Sequence, residues 1–76
     1  MARILIVDDS PTDVRVLTGM LERAGHQVSS AASAEDGIAR ARQELPDLIL
    51  MDVVMPGTNG FQATRTLSRD PDTSHI

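Results

Sequence analysis

Ile4-Leu5-Ile6-Val7-Asp8-Asp9-Ser10-Pro11 decides how the rest of the chain is read. Four consecutive aliphatic residues, mostly β-branched and bounded by charge, describe a strand buried on both faces. The next four residues end it and open a helix. Ser10 suits the N-cap, Pro11 suits the first helical position, and Asp13 completes a capping-box-like S-x-x-D. Val14, Leu17, Leu21 and Ala24 follow at helical spacing with Met20 beside them, and Gly25 is the expected stop.

Beyond that unit, His26-Gln27-Val28-Ser29-Ser30 is short and weakly apolar, which predicts an edge strand. Ser33 and Asp36 give a second capping signal. Ala34, Ile38, Ala41 and Leu45 trace one face of the helix that follows, and Pro46 closes it. Leu48-Ile49-Leu50-Met51 is a second fully apolar strand, ending at Asp52. A loop over Val53–Asn59 carries Pro56-Gly57, and Gly60 precedes a third helix with Phe61, Thr64 and Leu67 on one side. Pro56-Gly57 and Asn59-Gly60 read first as turns, whose role would be to hold the Asp52 loop in shape. Asp70-Pro71-Asp72 breaks that helix, and Ser74-His75-Ile76 reads as the approach to a further strand. Strand and helix signals alternate throughout, so the expected class is α/β with a parallel sheet.

With 76 residues, the chain holds at most one small domain. It has no cysteine, which excludes disulfides and thiolate metal sites, and its one aromatic residue, Phe61, leaves an aliphatic core. The net charge of −4 argues against a nucleic-acid surface. The longest apolar run is far too short to span a bilayer, and the first residues lack the pattern of a signal peptide. A cytoplasmic protein is expected.

Both apolar strands end in acid, at Asp8-Asp9 and at Asp52. Ligands of open parallel sheets bind beyond the carboxyl ends of the strands. If these strands are neighbours, three carboxylates meet at one rim, where repulsion requires protonation or a cation. An oxygen-only cluster favours a hard ion, and Mg²⁺ fits best. No glycine-rich phosphate loop follows the first strand, so no nucleotide cradle is expected. A carboxylate beside Mg²⁺ has the chemistry to attack a phosphoryl group and form an acyl phosphate.

Ile4-Leu5-Ile6-Val7-Asp8-Asp9-Ser10, together with Leu48-Ile49-Leu50-Met51-Asp52-Val53-Val54-Met55-Pro56-Gly57-Thr58-Asn59-Gly60, resembles the two halves of the receiver-domain signature of two-component response regulators. The resemblance implies a flavodoxin-like, doubly wound sheet of order 2-1-3 for the part present, and a signalling receiver rather than an enzyme. It implies Asp52 as the acceptor of a phosphoryl group from a histidine kinase. It implies Mg²⁺ held by Asp8, Asp9, Asp52 and the main-chain carbonyl of Val54. Arg3–Thr12 and Phe61-Gln62-Ala63-Thr64-Arg65 also look like the single-domain regulators of type IV pilus twitching motility. In the family, a Ser or Thr ending strand four and a Lys ending strand five contact the phosphoryl group. Both would fall beyond Ile76, so residues 1–76 are expected to be the N-terminal portion of one receiver.

Two other readings use the same residues. A Mg²⁺-dependent phosphatase of the haloacid-dehalogenase type also has an aspartate nucleophile, but it wants D-x-D after strand one, where this chain has Asp8-Asp9-Ser10. An inert interaction fragment is the other. With order 2-1-3, the third strand is an open apolar edge, a template for a homo-oligomer or domain swap. Ser10 is expected as a cap, Phe61, Met20 and Met51 as core, Met55 as loop packing, and His26 and His75 as surface residues outside the acid cluster.

Overall fold

The computed structural model describes residues 1–57 and 59–76, so Thr58 of the quoted motif lies outside the described residues. Six elements alternate: β1 (Arg3–Val7), α1 (Pro11–Arg23), β2 (Gln27–Ala31), α2 (Ala34–Glu44), β3 (Leu48–Met51) and α3 (Gly60–Arg69). The strands form one parallel sheet of order β2-β1-β3, with Val7 opposite Ala31 on one side and Met51 on the other. This is the expected α/β, flavodoxin-like arrangement.

The caps follow the sequence closely. Ser10 and Ser33 each accept from the backbone N–H three residues on, at Asp13 (3.3 Å) and Asp36 (3.1 Å). Gly25 follows the end of α1 at φ 92°, a left-handed position suited to glycine. Asn59 begins α3 with a full capping box: its side chain accepts from Gln62 N–H (2.9 Å), and the Gln62 side chain accepts from Asn59 N–H (3.4 Å).

One face of the sheet carries the core. Leu5 and Val7 pack with Ala34 and Ala41 of α2, Ala63 and Leu67 of α3, and Met55 of the following loop. Small residues at these helix positions let the backbones lie close to the sheet. A Cβ at Gly37, for example, would come within 2.7 Å of Val7. Ile4 and Ile6 point to the opposite face and are also buried, so β1 is covered on both sides as its composition predicts.

Several expectations are corrected here. Phe61 (70% exposed) and Met20 (58%) lie outside the core, although Met51 packs against it. On α3 the buried face is Gly60, Ala63 and Leu67, so Phe61 and Thr64 point outward. Leu45 is not on the helical face either; it caps α2 in the left-handed conformation (φ 49°) and is exposed. Met55 is a core residue. Residues 71–75 form turns rather than an extended approach to a strand. Asp72 N–H donates to Asp70 Oδ1 (2.9 Å) and the Thr73 hydroxyl donates to the Leu67 carbonyl (2.7 Å), which folds the segment back on α3. Among the described residues no helix is long and apolar enough to cross a membrane.

Candidate functional site

Register brings the acids together. Val7 pairs with Met51, so Asp8 and Asp52 leave neighbouring strands at the same height. Asp52 N–H donates to the Val7 carbonyl (2.8 Å) and Asp8 N–H to the Ala31 carbonyl (3.0 Å), which carries strand-like pairing up to the acids. Asp8, Asp9 and Asp52 each present a carboxylate oxygen, and these oxygens all lie within 4.8 Å of one another.

The two strand-end acids are held alike. Asp8 Oδ1 accepts from Ser10 N–H (2.9 Å) and Asp52 Oδ1 accepts from Val54 N–H (3.1 Å). Each is an Asx turn, in which the carboxylate hydrogen-bonds the backbone two residues on. One oxygen of each acid thereby fixes the local chain but keeps a second lone pair, so both oxygens can still meet a ligand. Asp9 is exposed and makes no hydrogen bond among the described residues. It lies beside the N-terminal end of α1, where the helix dipole favours negative charge.

Around the acids the surface is open. A groove of about 330 Å³ lined by Ile6, Asp8, Leu17, Leu50, Met51 and Asp52 runs along the α1 side of β1 and β3. The donor set is entirely oxygen, so it suits a hard divalent ion. Val54 adjoins the cluster through its amide, and its side chain is 79% exposed.

The histidines lie apart from the acids, as expected. His26 is half-buried rather than on the surface, because its Nδ1 accepts from Ala2 N–H (3.0 Å) at the opposite end of β1. His75 is exposed. Gly60, expected as part of a turn that holds the Asp52 loop in shape, opens α3 and lies directly against the Asp52 backbone. A Cβ there would fall 2.2 Å from the carbonyl oxygen of Asp52, so the start of α3 rests on the backbone of the proposed acceptor. A glycine opening a helix beyond an acid-ended strand is a visible sign, but the contact itself needs coordinates.

A parallel β2-β1-β3 sheet with three acids at its carboxyl rim defines a receiver, and the chain belongs to the response regulator receiver domain family, whose model matches residues 4–76. Over its whole length it is 66% identical to Protein PilH of Pseudomonas aeruginosa, covering 63% of that protein. A response regulator receiver N-terminal domain from Methanoculleus marisnigri superposes with a TM-score of 0.97 at 37% identity, over 100% of this chain and 62% of that one. The response regulator TrrA of Thermotoga maritima, solved in complex with Mg²⁺-BeF, gives 0.88 at 29% identity, over 91% of this chain and 60% of its own. The chain therefore spans a little under two thirds of these relatives.

Proposed function

We propose that this chain is the N-terminal portion of a single receiver, that Asp52 is its phosphoacceptor, and that the donor is the phosphohistidine of a histidine kinase. The observation that carries the reading is the meeting of three carboxylate oxygens within 4.8 Å at the ends of β1 and β3. The free oxygen of Asp52 attacks phosphorus, the phosphorus–nitrogen bond breaks, and its electron pair returns to the imidazole. The product is an aspartyl phosphate. Asp8, Asp9, Asp52 and the Val54 main-chain carbonyl would hold Mg²⁺, which offsets the negative charge of the phosphoryl oxygens. The likeness to TrrA, whose crystal structure is a complex with Mg²⁺-BeF, supports the same ion here.

The chain's own residues supply orientation. The Asx turn to Val54 N–H aims the Asp52 carboxylate, and the turn to Ser10 N–H does the same for Asp8. The likeness of Arg3–Thr12 and Phe61-Gln62-Ala63-Thr64-Arg65 to the single-domain regulators of type IV pilus twitching motility supports a place in that process, and we place the chain in the cytoplasm. The outward edge of β3, with Leu48 48% exposed, supports self-association through that strand.

Acetyl phosphate with and without Mg²⁺, read by intact mass, tests the assignment. A stable adduct of one phosphoryl group is expected, dependent on Mg²⁺ and lost in Asp52→Asn. Continuous release of phosphate with no adduct would favour the phosphatase, and no reaction at all would favour the inert fragment.

A further inference from the structure

Gly60 contributes no side chain, yet the structure places it against the residue on which the chemistry turns. A Cβ at this position would lie 2.2 Å from the Asp52 carbonyl oxygen, 2.8 Å from its carbonyl carbon and 2.8 Å from Val53 Cα. All of these are backbone atoms, so no rotamer change relieves the contact. Ordinary carbon–oxygen contact begins at roughly 3.3 Å, and a methyl group therefore demands a displacement of about 1 Å.

The surroundings decide what moves. Behind Gly60, α3 is fixed by the burial of Ala63 and Leu67, by the Asn59–Gln62 capping box, and by Arg42 pairing with Asp70 at its far end (2.7 Å). In front, Asp52 is held to Val7 by one backbone bond of 2.8 Å, and the chain after it is exposed at Val53 and Val54. The less tethered partner is the Asp52–Val54 segment. That segment carries both the acceptor carboxylate and the Val54 N–H that aims it.

We propose that Gly60 is a positioning residue for the acceptor: its bare Cα lets α3 seat directly on the Asp52 peptide and so sets the backbone of the acid cluster. This rests on the phosphoacceptor reading above. It predicts that adding one methyl group disturbs ion binding beyond its effect on folding, because altering the groups that orient a metal's ligands typically costs about 10–100-fold in affinity.

The test compares Gly60→Ala with Ala41→Gly, a destabilising change in α2 away from the strand ends. Mg²⁺ affinity is read by NMR titration of the folded population, with trimethylamine oxide present to restore folding of either variant. Both variants should unfold at lower urea. Ala41→Gly should keep the Mg²⁺ dissociation constant within twofold of the parent chain, and Gly60→Ala should raise it at least tenfold. Folded Gly60→Ala with parental affinity would overturn the proposal. The unsubstituted chain gives a second readout that needs no variant: Mg²⁺ should move the Gly60 amide resonance and leave that of Gly25 in place. A Gly60 amide indifferent to the ion would equally overturn it. If the parent chain and Ala41→Gly both fail to bind Mg²⁺, the phosphoacceptor reading itself is at fault.

Discussion

β1 and β3 are made of nearly the same residues, Ile4-Leu5-Ile6-Val7 against Leu48-Ile49-Leu50-Met51, and each stops at an aspartate. Their surroundings differ. Residues 4–7 of β1 are at most 4% exposed, whereas Leu48 is 48% exposed and its three successors are only partly covered. The cause is position. β1 is paired on both sides and β3 on one. Composition thus tells what a strand can tolerate around it, and topology tells what it receives. The difference also divides the labour: β1 holds the fold, and both strands together hold the acids.

The most direct way to break this comparison is to shorten matched side chains. Leu5→Ala in the core should cost roughly 3 kcal/mol, enough to unfold much of so small a domain, while Leu48→Ala should cost under about 1 kcal/mol. Urea unfolding measures both, and equal losses would mean that the strands are equivalent after all.

A smaller effect tests whether the strand ends act as one cluster. Removing one charge from three should relieve repulsion of about 1 kcal/mol with each of its two neighbours, even at the dielectric of bulk water. Asp9→Asn should therefore raise the urea midpoint without metal. It should also abolish most of the further rise that Mg²⁺ gives the parent chain. Midpoints measured with and without Mg²⁺ decide the matter, and an unaltered Mg²⁺ response would remove Asp9 from the site.

At the open edge, Leu48→Lys should change stability by no more than about 0.5 kcal/mol. Its effect should appear in sedimentation, as loss of self-association by the parent chain. A parent chain that is monomeric at high concentration would refute the edge contact.

The slightest effect comes from an acid outside both strands. The Asp72 N–H bond and then the Arg42 guanidinium hold the Asp70 carboxyl below its ordinary value. A folded value below the unfolded one means that the unfolded chain binds the extra proton. Stability from this group is therefore complete above about pH 4 and is lost as the pH falls through the folded value. Asp70→Asn should flatten the acid limb of a pH–stability curve slightly, and the exposed setting of Arg42 makes the effect salt-sensitive.

Much of the fold is legible in the sequence because the deciding signals are local. Ser10, Ser33 and Gly25 mark element ends by hydrogen bonds or dihedral angles confined to a few residues. The acid cluster is legible because two strand-end motifs become neighbours in a single sheet order. What escapes depends on partners across the fold. Phe61 and Met20 are hydrophobic enough for a core, but burial requires an element on their side. Leu45 fits the helical period, but the chain turns left-handed there one residue before Pro46. The residue before a proline avoids the right-handed helical region, which gives a local reason for that departure. Gln62 escapes as the second half of the Asn59 capping box because Asn59-Gly60 reads first as a turn.

The two Asx turns have a thermodynamic consequence. Because Ser10 N–H and Val54 N–H already fix the carboxylates of Asp8 and Asp52, the rotational freedom of those side chains is lost during folding rather than at ion capture. Of the three acids, only Asp9 remains to be immobilised when a ligand arrives. Such pre-organisation makes affinity an inheritance of the strand ends. Calorimetry on a chain with a loosened turn should find the binding entropy less favourable, even where the same three aspartates remain.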